Sequence, residues 1–135
     1  MNSKRAWQFV LAIYVLGLGV VSLLAYTNQL HVTALMGRSH LDKLLHFVLL
    51  GGASFLARRA TSDARMRFFD MPVGPFVVGV IATMDECVQG FAPSRTFSLG
   101  DLAANIGGVV VFGWVAGLRL FGAVRKDRSD SKGLS

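Results

Sequence analysis

The sequence predicts an all-α integral membrane protein, a bundle of four transmembrane helices with both termini in the cytoplasm. Three observations predict it. The chain of 135 residues is 53% hydrophobic and only 16% charged, with a mean hydropathy of +0.51; a soluble domain of this length is about a quarter charged. Its apolar residues come in four blocks rather than in the single-face stripe of a surface helix. Threaded up and down, the four blocks also leave eleven of the fourteen basic residues on one side.

The first block, residues 7–26, is almost unbroken and long enough to cross a hydrocarbon core, which takes about 20 residues. Lys4 and Arg5 precede it, as in a signal peptide. The run is longer than the usual h-region of about 7–15 residues, and no small-x-small cleavage site follows, so a retained span is expected. The second block is shorter, residues 41–57. The third, residues 73–91, opens on Pro72 and Pro75, which a first helical turn tolerates because its N–H groups are unpaired anyway. The fourth, residues 102–124, is interrupted only by Asn105 and Arg119. Ser98 followed by Asp101 resembles a capping box, with Asp in place of the usual Glu.

Small residues recur at Gly51, Gly52 and Ala53, and again at Ala104, Gly107, Gly108, Gly113 and Gly117. Such residues let transmembrane helices approach closely. Spans two to four are therefore expected to pack tightly, with the first more peripheral. No internal repeat divides the chain. Residues 1–125 read as one transmembrane domain, and residues 126–135, polar and charged, as a disordered cytoplasmic tail.

Charge orients the bundle. Lys4, Arg5, Arg58, Arg59, Arg65, Arg67, Arg119, Arg125, Lys126, Arg128 and Lys132 share one face, which the positive-inside rule makes cytoplasmic. Arg38, Lys43 and Arg95 remain for the outer face, with Asp42, Asp85, Glu86 and Asp101. The net charge of +6 is thus topological, meeting anionic lipid headgroups, and nucleic acid is not an expected partner. Residues 58–70 are expected to lie along the membrane surface, with Phe68 and Phe69 in the interface. Cys87 is the single cysteine, which excludes an intrachain disulfide and a thiolate cluster. It reads as a small apolar helix residue. His31 and His40 read as solvated interface residues.

The polar residues within the spans cluster at the outer end. Asp42 and His46 open the second span, Asp85, Glu86 and Gln89 close the third, and Asp101 and Asn105 open the fourth. Ionisable groups at membrane depth are costly and mark sites or pathways. Residues four apart share a helix face, and four residues span about 6 Å of depth. His46, the Asp85–Glu86 pair and Asn105 are therefore expected at one depth. His46 is suited to proton transfer near neutral pH, with Asp42 or Asp101 orienting its ring. Glu86 in an apolar setting can serve as an acid, and Asp101 completes the candidate catalytic groups. Arg95 offers a fork of donors for phosphate or carboxylate. Asp42, Asp85, Gln89 and Asn105 are candidate binding groups. No cofactor is expected. His46, Glu86 and Asp101 as ligands of a divalent metal form a lesser alternative. Each residue also has a purely structural use: Asp101 as a helix cap, Lys43 snorkelling, Gln89 and Asn105 as interhelical glue.

At these residues the chain resembles the VanZ-like family of small membrane proteins. The resemblance is carried by Asp42-Lys43 with His46, Asp85-Glu86 with Gln89, Pro93 with Arg95, and Asp101 with Asn105 and Gly107, in that order on three successive spans. It covers about residues 40–110; the first span and tail match in character only. Cys87 stands where a bulkier apolar residue is common. The resemblance implies a multi-pass protein of the bacterial cytoplasmic membrane. The founding member is associated with low-level resistance to teicoplanin, a lipid-tailed glycopeptide that acts outside that membrane. The family supplies no settled reaction. Three roles remain open: an enzyme acting on a lipid-linked or phosphate-bearing envelope substrate, a binding or assembly protein using the same groups, and a small transporter. Transport fits least, since no ionisable path continues inward past His46.

Overall fold

Leucine, valine and alanine runs without interior proline make helices, and the described residues form four of them. They are α1 (Ser3–Tyr26), α2 (Ser39–Ala60), α3 (Val73–Gln89) and α4 (Leu99–Gly117). The computed structural model describes residues 3–26, 39–62, 64–66, 71–91 and 98–118. Among these there is no strand, only an isolated antiparallel bridge between Arg65 and Pro72. Met66 N–H donates to the Met71 carbonyl at 2.8 Å, and Val73 N–H to the Ala64 carbonyl at 2.8 Å, so this bridge seats the start of α3. Residues 67–70, with Phe68 and Phe69, lie outside the described residues, as do His31 and the tail.

The helix ends have local causes. Ser62, at φ 54°, takes the left-handed conformation that commonly stops a helix. Thr61 Oγ1 covers the Ala57 carbonyl at 2.9 Å beside it. Several ends differ from the sequence expectation, those of the third and fourth helices for local reasons. The third helix stops at Gln89 rather than 91, because Gly90 and Phe91 fall back onto tighter i−3 bonds to Cys87 and Val88. The fourth starts at Leu99, under the Ser98 cap, and ends at Gly117 instead of 124. Leu118 is extended, with its N–H on the Val115 carbonyl. There Arg58 donates to the Gly113 carbonyl at 2.7 Å, a basic side chain satisfying the helix end.

The packing is inverted relative to a water-soluble bundle. Among the described residues the buried apolar side chains are Ala53, Ala57, Ala60, Ala82, Val109 and Ala116, nearly all alanine. The large side chains point outward instead: Phe9, Leu16 and Leu23 on α1, Ile81 and Met84 on α3, and Trp114 on α4 are each more than 60% exposed, or at that value. Small residues inside permit close backbone approach. A Cβ at Gly108 would strike the Phe47 carbonyl of α2, and one at Gly74 would lie 2.5 Å from the Ala57 carbonyl. Ser54 Oγ also donates across the seam to the Val109 carbonyl at 2.7 Å. Helices α2 and α4 form the closest pair, and α3 packs on both.

Helix α1 packs chiefly on α2, in agreement with its expected peripheral place. Tyr14 donates to the Leu49 carbonyl at 2.9 Å. Trp7 meets Phe55 edge-on with ring centroids 6.3 Å apart, and the Arg59 guanidinium lies 5.3 Å from the Trp7 ring centroid. Two helices, α1 through Leu24 and α4, are long and apolar enough to cross a membrane. Helix α2 carries Asp42, Lys43, Arg58 and Arg59 at its ends, and α3 has 17 residues.

Candidate functional site

The start of α2, the end of α3 and the start of α4 come together, and their polar side chains interlock. His46 Nδ1 lies 3.1 Å from Asn105 Oδ1. An amide oxygen only accepts, so in this pairing Nδ1 donates and Nε2 is turned away from Asn105. That nitrogen faces Asp42 Oδ1 at 3.9 Å, one turn back on the same helix. Asn105 is 3% exposed, so its amide is a fixed partner. The ring was expected to be oriented by a carboxylate. Asn105 holds its Nδ1 side, where Gly108 brings that turn of α4 against α2, and Asp42 faces its Nε2 side.

Glu86 occupies the second part of the site. It is 1% exposed, the largest fully buried side chain among the described residues. Its Oε1 accepts the backbone N–H of Ser98 at 2.9 Å. Ser98 in turn caps α4, its Oγ accepting the Asp101 N–H at 3.3 Å. The cap foreseen from the Ser98–Asp101 spacing thus forms, but its reciprocal half does not. In a capping box the acidic partner would bind the Ser98 N–H; here Glu86 of α3 takes that position. Asp101 is released from capping and lies with Oδ1 3.6 Å from Lys43 Nζ.

Two acceptor atoms in this region are buried without a hydrogen-bond partner, Glu86 Oε2 and Asp101 Oδ1. A buried acceptor without a partner costs about 1–3 kcal/mol, and more when charged. The region therefore holds unmet capacity to accept a proton, a donor or a cation. Asp42, His46 and Asp101 present ligand-type atoms all within 4.8 Å of one another. The metal alternative drawn from sequence named Glu86 in place of Asp42. Glu86 points instead at the Ser98 amide and is not in that group.

The other expected residues divide. Asp85 and Cys87, which flank buried Glu86 on α3, are exposed. His40 is exposed, as expected. Gln89 ends α3, but its side chain lies outside the described residues, as does the whole of Arg95. Ser98 was noted only as a cap, and its backbone link to Glu86 could not be foreseen, since a backbone N–H leaves no mark in the sequence. Elsewhere, a groove of about 520 Å³ between α3 and α4, lined by Phe76, Gly79, Val80, Ile106 and Val110, is apolar and has Arg58 at one margin. It contains none of the clustered carboxylates.

No family model, no curated protein and no solved structure matches this chain.

Proposed function

We propose that the chain is a VanZ-like, multi-pass protein of the bacterial cytoplasmic membrane, with all four helices spanning and both termini inside. Its outward-facing polar pocket binds or acts on a cell-envelope component, either a lipid headgroup or a lipid-linked wall precursor. Partner and substrate are thus membrane-borne and carry phosphate or another anion, and an influence on glycopeptide susceptibility follows from acting there. Support for the four-span reading comes from the inverted packing. All four helices keep large apolar side chains exposed, and lipid is the solvent that covers such a surface without cost. The charges of α2 sit at its two ends, leaving the middle to cross the core.

One observation carries the pocket: Glu86 is 1% exposed and keeps one carboxylate oxygen without a partner. A purely structural carboxylate would satisfy both oxygens. At the same end of the bundle, His46 and Glu86 are the two groups suited to proton transfer. Arg95, on the connection between α3 and α4, is the proposed anion anchor.

Complementation of a deletion strain tests the reading, with envelope lipids and wall precursors profiled by mass spectrometry. Glu86→Gln and His46→Ala should each reproduce the deletion profile while accumulating in the membrane at the normal level. Glu86→Gln with a normal profile, and His46→Ala altering only protein level, would make the cluster interhelical glue.

A further inference from the structure

We infer that Asp42, His46 and Asp101 bind a divalent cation of the Zn²⁺ or Mn²⁺ kind. This inference deepens the proposed function by assigning a ligand to the same end of the bundle. Three observations carry it. Asp42 and His46 lie four residues apart on α2, which puts two ligands on one helix face, and Asp101 faces them from α4. Their ligand atoms lie within 4.8 Å of one another. Metal bonds of about 2.0–2.2 Å place two ligand atoms at most about 4.4 Å apart, so the set closes with small side-chain rotations.

The second observation is the orientation of the ring. Asn105 Oδ1 holds Nδ1 at 3.1 Å, which aims Nε2 at a carboxylate oxygen of Asp42, 3.9 Å away. An outer partner that fixes one imidazole nitrogen and aims the other is the usual companion of a metal-bound histidine. The third is Asp101 Oδ1, buried without a hydrogen bond. Lys43 Nζ, at 3.6 Å, is beyond hydrogen-bond reach. Two carboxylates outnumber the one lysine beside them, which favours a cation there. The imidazole suits Zn²⁺ and the carboxylates suit Mn²⁺, so these two ions fit the mixed set.

The test uses the full chain, purified in detergent, stripped with chelator and dialysed against Zn²⁺ or Mn²⁺. Retention of about one ion per chain is expected, with affinity falling about 10-fold or more in Asp42→Asn and in His46→Gln. Asn105→Ala, which removes only the outer partner, should weaken binding by about 10–100-fold. With Mn²⁺ bound, pulsed electron paramagnetic resonance should show a nitrogen coupling that His46→Gln abolishes. Should the His46 variant lose its helical circular dichroism, Asp42→Asn decides, since Asp42 is the most exposed of the three. An ion-free wild type, or uptake equal in every variant, overturns the inference. Glu86→Gln separates it from the functional reading, because it should keep the ion while losing the envelope profile. Loss of the profile without any bound ion would leave that reading standing and remove the metal; a bound ion with a normal profile would do the reverse.

Discussion

His46 and Asn105, 59 positions apart, meet at 3.1 Å because the residue after His46 presents its carbonyl to a glycine. The Phe47 carbonyl sits where a Cβ on Gly108 would be, and Gly108 lies one turn beyond Asn105. Close backbone approach and side-chain pairing are therefore one feature of the α2–α4 seam.

Gly108→Ala should force the seam apart, because the obstacle is backbone and cannot rotate away. A destabilisation of about 1–3 kcal/mol is expected, the usual cost of overpacking. Gly107→Ala is the matched control: its Cβ would lie 3.6 Å from the Phe47 ring, an ordinary contact. It should be neutral or gain up to about 1 kcal/mol from helix propensity. Thermal denaturation in detergent, read by circular dichroism, compares the two.

Glu86 has a structural duty that a pair of variants separates from its chemistry. Glu86→Gln keeps an oxygen for the Ser98 N–H, so its melting should stay near wild type. Glu86→Ala leaves that N–H without its acceptor and opens a cavity. It should be destabilised by about 2–5 kcal/mol, combining a lost partner with a large-to-small core change. Equal melting of both variants would show that the Ser98 contact contributes nothing.

How much of this was legible from sequence depends on the range of the interaction. The Ser98–Asp101 cap was legible because capping needs only three residues of spacing. So was the place of Asp42, His46 and Asn105 at one end of the bundle, since helical periodicity and alternating direction set it. The contrast between Asp85 and Glu86 was not, because adjacent residues point about 100° apart on a helix of 3.6 residues per turn. Which one turns inward depends on how α3 is rolled against α4. The Asn105 partner of the His46 ring was hidden for a similar reason: helix crossing, not charge, brings it to Nδ1. The end of α4 was misplaced because hydrophobicity continues past Gly117 while the backbone turns, with Arg58 of α2 serving the carbonyl of Gly113.

The docking of α1 on α2 should respond to one atom. Tyr14→Phe removes the hydrogen bond to the Leu49 carbonyl and should cost about 0.5–1.5 kcal/mol. Gly52→Ala should cost a similar amount by a different route, since its Cβ would lie 2.5 Å from the Tyr14 hydroxyl. The two share that hydroxyl, so the double variant should be less destabilised than the sum of the singles. Strict additivity would mean that the hydroxyl and Gly52 do not meet.

Membrane topology is the prediction on which the direction of the pocket depends. Charge places residues 1–5, the segment around Arg65, and the chain after Gly117 on one side, with 11 basic residues among them. Basic residues near span ends are retained in the cytoplasm, so reporters fused after Arg65 and after Gly133 should behave as cytoplasmic. A reporter at Ser94, on the connection between α3 and α4, should behave as external. That connection leads directly into Ser98, whose amide binds Glu86 at 2.9 Å, so its side is also the side of the pocket. An external Ser94 reporter, together with cytoplasmic reporters at the other two positions, fixes an outward pocket. A cytoplasmic signal at Ser94 would turn the pocket inward, and would exclude action on an envelope component at the outer leaflet whatever the Glu86 and His46 variants do.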